Sequence, residues 1–273
     1  MKKTLYVTDL DGTLLRTDKT LSPFTGETIN RLTAEGMAFS YATARSVSLA
    51  KQLLSGLTAG FPVVTSNGAV IADSQTEEVL EAFYFSPDDT AGLLKAFRQA
   101  KLSPLVYGHL EGRERFSYLE KDLSSHCREF LAERAGDRRA RPVEREEELL
   151  AGKQFFFNCV DGGARLRPLY ETLQERYSCV LEREIYCGGY MLEILPPGVS
   201  KANGVRRLAE LLGCSRIVAF GDNQNDIPMF EAADACYAVE NAVPELKAAA
   251  TGIIPGNDAD GVARWLRDNV QAE

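Results

Sequence analysis

The stretch Asp9-Leu10-Asp11-Gly12-Thr13-Leu14 sets two carboxylates one residue apart at the end of an apolar run that begins at Leu5. At the mouth of a buried strand such a pair is costly unless something cationic lies between the acids. Residues i and i+2 of an extended segment face the same side, so Asp9 and Asp11 are expected to converge on one ion. Gly12 permits the sharp turn that lifts the strand end away from a sheet. Alone, the segment reads equally well as an Asp-Gly turn leaving a strand. Downstream, in order, come Thr43 after a second apolar run, Lys201 at a helix start, and Asp222 with Asp226 after a later run. Singly, each has an ordinary alternative. Thr43 reads as a strand hydroxyl, Lys201 as a solvated helix residue, and Asp222 and Asp226 as caps for a helix starting near Asn223–Asn225. Asn67 reads as a turn former. Together they supply a nucleophile, a proton carrier, a hydroxyl donor, a fixed cation and an acid cluster. Phosphoryl transfer needs these parts, because its catalysis is mostly positioning and neutralisation of spread negative charge. An ionised aspartate repels a phosphate dianion, so a hard cation must bridge the two. Mg²⁺ suits a site of few carboxylates, some waters and substrate phosphate.

The elements that position these residues are legible at both ends of the chain. A strand at Leu5–Leu10 precedes a helix with Ser22 as cap and Pro23 at its first position. Strands at Ala38–Thr43 and Pro62–Thr65 flank a helix capped by Ser46, and the third strand ends at Ser66-Asn67-Gly68. The last third repeats the pattern, with a helix capped by Ser200, a buried strand Arg216–Phe220, a helix Ile227–Ala233, a strand Cys236–Val239 and helical stretches from Pro244 and Asp260. Near-continuous apolar strands separated by amphipathic helices imply a parallel sheet covered on both faces. In such sheets ligands bind at the carboxyl ends of the strands, where the polar residues above fall. Between about Tyr84 and Cys187 the strands look shorter (Pro104–Tyr107, Phe116–Leu119, Gln154–Cys159, Cys179–Glu184), and helices are expected from Pro87, around Leu123–Arg134 and around Leu166–Tyr177. This middle reads as an inserted α+β domain, residues 84–187, within a discontinuous core of 1–83 and 188–273, with Cys187-Gly188-Gly189 as one hinge. The charge-dense run Arg113–Glu148 reads as a solvated face or loop.

Composition sets outer bounds. The 273 residues are 45% hydrophobic and 26% charged, with mean hydropathy −0.19, as expected of a soluble globular chain with ample core. The net charge of −8 argues against affinity for nucleic acid or an anionic membrane, and an anionic substrate would need a local cationic pocket. No apolar run approaches a membrane span, and Met1-Lys2-Lys3-Thr4 leads into a strand instead of a signal-peptide apolar region. Cys127, Cys159, Cys179, Cys187, Cys214 and Cys236 show no C-x-x-C spacing, so they are expected as free thiols in a reducing cytoplasm. His109 and His126 are too few for a histidine-rich metal site.

The order D-x-D-G-T, a lone Thr after a strand, Lys, then G-D-x-x-N-D resembles the haloacid dehalogenase-like hydrolase superfamily. Ser66-Asn67-Gly68-Ala69, Pro197-Gly198-Val199-Ser200-Lys201 and the large α/β insertion resemble its Cof-type phosphatases with a type IIB cap. The resemblance covers both flanks and extends weakly into the insertion. It implies a doubly wound, Rossmann-like α/β core with an inserted cap that closes over it, excludes water and chooses the substrate. It implies that Asp9 is the nucleophile, forming an aspartyl-phosphate, and a Mg²⁺ ligand. Asp11 would be general acid and then base, with its main-chain carbonyl on the metal. Main-chain N–H groups around Leu10 and Gly12 would hold the phosphoryl oxygens. Thr43 and the Ala44 N–H would bind the same phosphate, Lys201 would neutralise it and orient Asp9, and Asn225 would add a donor. Asp222 would ligate Mg²⁺ with Asp226 behind it. The chain departs from the family at Thr43-Ala44-Arg45, where many relatives read Thr-Gly-Arg; a positive φ at Ala44 would be strained, and Arg45 reads as a helix start more than a substrate contact. The implied activity is Mg²⁺-dependent hydrolysis of a small organic phosphate such as a sugar phosphate. The alternatives are a phosphotransferase or phosphomutase, or an idle phosphate-binding module; a phosphonate hydrolase is disfavoured for want of a Schiff-base lysine in the cap. The expected partner is a small phosphorylated metabolite, with Arg113, Arg115, His109 and Tyr190 as candidate cap-face residues and oligomeric state open.

Overall fold

The computed structural model describes residues 3–183 and 188–270, so Cys187 and the Glu184 end of an expected strand lie outside the described residues. The chain divides into two compact units, Met1–Ala82 with Ser200–Glu273, and Phe83–Val199.

The first unit begins with β1 (Thr4–Thr8), α1 (Pro23–Ala34), β2 (Ala38–Tyr41), α2 (Val47–Leu53), β3 (Pro62–Thr65), β4 (Val70–Asp73) and β5 (Val79–Ala82). Local chemistry sets these boundaries. The Ser22 hydroxyl accepts the Thr25 N–H at 3.0 Å ahead of Pro23, and the Ser46 hydroxyl accepts that of Leu49. The second unit holds α3 (Pro87–Ala100), β6 (Leu105–Leu110), β7 (Arg113–Leu119), α4 (Ser125–Ala132), β8 (Ala140–Val143), β9 (Lys153–Asp161), α5 (Gly163–Leu173), β10 (Ser178–Arg183) and β11 (Tyr190–Leu195). The first unit resumes with α6 (Lys201–Leu211), β12 (Arg216–Gly221), α7 (Ile227–Glu231), β13 (Ala235–Val239), α8 (Pro244–Ala249), β14 (Gly252–Ile254) and α9 (Gly261–Asn269).

Five strands form the parallel core sheet in the order β14-β13-β12-β1-β2. Trp265 of α9 packs on Tyr6, Phe220 and Tyr237 from alternate positions of three strands, while α1 packs on α9. Leu5 and Val7 therefore turn to the opposite face, where they are fully buried. The expected third parallel strand is instead the start of a separate antiparallel sheet, β3-β4-β5, joined to the core by one parallel bridge between Ala42 and Val64.

The second unit is a six-stranded sheet, β10-β11-β9-β6-β7-β8. Phe157 and Cys159 join Leu93, Phe97, Leu166 and Leu169 of α3 and α5 in one apolar cluster. Val160, one residue on, joins Cys127 and Phe130 of α4 in another, as strand alternation requires. Two expectations need correction. The boundary expected at 187/188 falls at 199/200, because β11 pairs with both β9 and β10 and completes the inserted sheet. The run Arg113–Glu148, read as a solvated face or loop, holds the expected strand and helix as β7 and α4, adds β8, and is not wholly solvated. Its charges are partly internal, with Arg139 held between Glu114 at 2.6 Å and Asp137 at 2.7 Å. Cys127, Cys159, Cys179, Cys214 and Cys236 are free thiols. No helix among the described residues is long and apolar enough to cross a membrane.

Candidate active site

β1 and β12 lie side by side with Thr8 opposite Phe220, so the segments that follow them leave the sheet together. The Asp9 N–H still donates to the Phe220 carbonyl at 2.9 Å. Gly12 then turns the chain at φ +78°, where a Cβ would be strained and would press on the Asp222 carboxylate and displace it. Thr13 Oγ1 donates to Asp222 Oδ1 at 2.9 Å. Lys201 opens α6, whose cap residue Ser200 is pressed against Gly68, itself at φ +99° in the turn after β3. From there the Lys201 ammonium lies 2.8 Å from Asp9 Oδ1 and 2.8 Å from Asp226 Oδ1. Asp9, Asp222 and Asp226 each offer a carboxylate oxygen within 4.8 Å of the others.

Three carboxylates thus face one ammonium in a largely water-free setting. Burial, reinforced by Asp226 and Asp222, pushes the Asp9 carboxyl up to about 7 despite Lys201. Burial and the neighbouring Asp226 push Asp222 up to about 6. Burial works against the Lys201 ammonium, but Asp226 and Asp9 outweigh it and hold it above its ordinary value. The donors fit a hard divalent cation, being carboxylate oxygens carrying more negative charge than one lysine balances. Asp226 is already committed, with Oδ1 on Lys201 and Oδ2 accepting the N–H groups of Asp222 and Asn223 at 3.1 and 3.3 Å. Asp222 Oδ2 and Asp9 Oδ2 have no hydrogen-bond partner among the described residues, so Asp9 and Asp222, unlike Asp226, still have carboxylate capacity to spare for an ion and its ligand.

A pH dependence follows. Between the ordinary aspartate value of 3.8 and the raised values, the folded protein binds more protons than the unfolded chain, so stability falls as pH rises. In cation-free buffer the contribution of Asp9 and Asp222 is therefore lost from about pH 4 to about pH 7. A divalent cation replaces those protons, so its stabilising shift in Tm should grow over the same window; calorimetric scans with and without the cation check this, and a shift independent of pH would contradict it.

Several expected residues sit otherwise than the sequence suggests. The Asp11 carboxylate does not converge with that of Asp9. The strand ends at Thr8, the chain winds through Leu10–Leu14, and Asp11 is gripped by Arg45, Nε to Oδ2 at 2.7 Å and Nη2 to Oδ1 at 2.6 Å. It is Asp226 that completes the carboxylate group. Arg45 is accordingly neither a plain helix start nor free; its place two residues past Thr43 was the available signal. Thr43 is buried, and its Oγ1 accepts the Arg45 N–H at 3.2 Å. Ala44 is exposed and is not among the residues with positive φ, so replacing glycine there introduces no strain. Leu10 is fully buried, its carbonyl accepting the Leu15 N–H. Asn225 is exposed and makes no side-chain hydrogen bond among the described residues. Thr13, to which the sequence pattern assigns no role of its own, holds Asp222 through its hydroxyl. In the second unit His109 Nδ1 pairs with the Tyr84 hydroxyl at 2.8 Å, Arg115 donates to the Arg138 carbonyl, and Arg113 and Tyr190 begin β7 and β11.

An acid cluster and a lysine at the carboxyl ends of a parallel sheet, in a chain interrupted by an α+β insertion, define a Rossmann-like core with an inserted second unit. A family model described as haloacid dehalogenase-like hydrolase matches residues 6–266, and the chain belongs to that family. Among its relatives is a 5-amino-6-(5-phospho-D-ribitylamino)uracil phosphatase of Bacillus subtilis (strain 168), 28% identical over 94% of this chain and 95% of that protein. A second phosphatase of that name from the same organism is 25% identical over 98% and 97% of the two chains. A crystal structure from Thermotoga maritima shares the fold at TM-score 0.81 and 22% identity, covering 100% of this chain and 99% of the other.

Proposed function

We propose that this chain is a Mg²⁺-dependent phosphomonoester hydrolase that acts on a small organic phosphate through an aspartyl-phosphate on Asp9. One observation carries the reading: Lys201 bridges Asp9 Oδ1 and Asp226 Oδ1 at 2.8 Å each and leaves Asp9 Oδ2 unpartnered. A carboxylate held by one oxygen, with the other free at a sheet's carboxyl edge, is oriented for attack. Mg²⁺ would be held by Asp9, Asp222 and the main-chain carbonyl of Asp11, and when bound it would offset the negative charge that otherwise keeps a phosphate dianion away.

In the first step Asp9 Oδ2 forms a bond to phosphorus as the ester P–O bond breaks, and Asp11 gives its proton to the departing oxygen. In the second, water attacks the phosphorus, Asp11 takes its proton, and the Asp9–phosphorus bond breaks to release phosphate. Lys201 stays charged throughout and stabilises Asp9 and the transferring oxygens. Thr43, the N–H groups of Leu10, Gly12 and Ala44, and Asn225 complete phosphate binding. Arg45 holds both oxygens of Asp11, so that clasp must open before Asp11 can take up a proton and pass it on. The names of those two relatives describe a phosphate on a ribityl chain, and we take a sugar-like alkyl phosphate as the substrate class here. An alkoxide is a poor leaving group, so such a substrate depends on the acid.

The test is phosphate release from phosphorylated metabolites with Mg²⁺, by wild type and by Asp11→Asn. The value of kcat/KM reports steps only through the first transfer. It should fall on the order of 10²–10⁴-fold for an alkyl ester, the range of general-acid catalysis, and far less for a nitrophenyl phosphate, whose leaving group needs no proton. Equal losses would remove Asp11 from the acid role, and no Mg²⁺-dependent release by wild type from any phosphomonoester would sink the whole reading.

A further inference from the structure

The turn that carries Asp11 is braced by residues more than two hundred positions away in the chain. The loop after β13 reaches both acid-bearing segments. Its Val243 N–H donates to the Asp222 carbonyl at 2.8 Å, and Asn241 Nδ2 donates to the Gly12 carbonyl at 2.7 Å. Asn241 Oδ1 in turn accepts the Asn257 N–H at 3.0 Å, and Asn257 Nδ2 donates to the Leu15 carbonyl at 3.0 Å. Two asparagines thus hold both ends of the segment from Gly12 to Leu15. The held peptide is a sensitive one. On one side of Gly12 is Asp11, clasped by Arg45; on the other is Thr13, whose hydroxyl fixes Asp222. Gly12 itself, at φ +78°, has the freest backbone in the segment, so without an outside grip its carbonyl can rotate and take both neighbours with it.

We propose that Asn241 is a positioning residue for this site. Its amide N–H locks the Gly12–Thr13 peptide and thereby fixes the spacing between the Asp9-to-Asp11 segment and Asp222, on which divalent-cation affinity depends. This rests on the phosphatase reading above and adds to it a residue that touches neither substrate nor cation. The side chain must donate and accept at once, which a carboxamide does and a carboxylate does not.

The experiment compares wild type with Asn241→Asp, which retains an acceptor for the Asn257 N–H but turns a lone pair toward the Gly12 carbonyl. The Mg²⁺ concentration for half-maximal turnover of nitrophenyl phosphate should rise about 10–100-fold, the usual cost of losing a group that orients metal ligands. The KM for that substrate at saturating Mg²⁺ should stay near wild type, and the Mg²⁺-induced rise in Tm at one fixed concentration should shrink. If the aspartate variant does not fold, Asn241→Ser, which adds no charge, is measured in the same way. A variant that melts earlier yet keeps the wild-type Mg²⁺ requirement and kcat shows a merely structural role and overturns the proposal. If wild type gains Tm with Mg²⁺ but releases no phosphate, the phosphatase reading alone fails, and the comparison of Tm shifts still decides the role of Asn241. A wild type whose Tm does not respond to Mg²⁺ overturns the proposal directly.

Discussion

The Asp9→Asn protein should fold, bind Mg²⁺ weakly and release phosphate from an aryl phosphate at a rate reduced on the order of 10⁴-fold or more, the scale on which loss of a catalytic nucleophile acts. Asparagine keeps an oxygen to accept from Lys201 at the position where Asp9 Oδ1 sits 2.8 Å from the ammonium, so the geometry of the cluster survives. What disappears is the charge on the attacking oxygen. Stability should not fall with it. Burial and the neighbouring acids already disfavour the charged form of Asp9, pushing it up to about 7, and a neutral isostere removes that unfavourable term at neutral pH. A thermal melt at pH 7.5 without Mg²⁺ should therefore give a Tm at or above wild type. The combination of an intact melt and absent turnover distinguishes lost chemistry from lost structure; appreciable turnover by this variant would remove Asp9 from the nucleophile role.

Lys201→Met should be both inactive and unstable. Lys201 is 4% exposed, between Asp9 at 7% and Asp226 at 0%, and removing the one cation leaves buried carboxylates facing each other. Breaking a buried ion pair in this way costs about 3–5 kcal/mol, readable as a lower denaturant midpoint with an unchanged m-value. The deficit should be greatest above pH 7 and shrink as pH falls, because the acids then take up protons and no longer need the lysine. The lysine's own titration does not blur this, since its neighbours hold the ammonium above its ordinary value and it stays charged across that range. Turnover should fall about 10²–10³-fold, the cost of losing one preorganised group that stabilises transition-state charge, and added Mg²⁺ should not restore it. A variant as stable as wild type at pH 8 would mean that the cluster is not held by this lysine.

The sequence alone determined the order of the chemistry-bearing residues and most of the elements that carry them. Helix starts at Ser22-Pro23, Ser46, Ser86-Pro87 and Ser200 were legible because a cap is a contact within four residues. The core strands were legible because a parallel sheet buried on both faces needs unbroken apolar runs. Tertiary structure decided what depends on neighbours distant in sequence. Which acid shares Lys201 with Asp9 is fixed by where β12 and α6 end in space, and it is Asp226, while Asp11 goes to Arg45. Whether Tyr190–Leu195 closes the core or completes the inserted sheet is fixed by its ladders with β9 and β10, since a strand's apolar pattern is the same whichever partner it meets. Period and cap are properties of a few adjacent residues, whereas partner choice is a property of the assembled chain, and the side-chain geometry of this site is made almost entirely of partner choices.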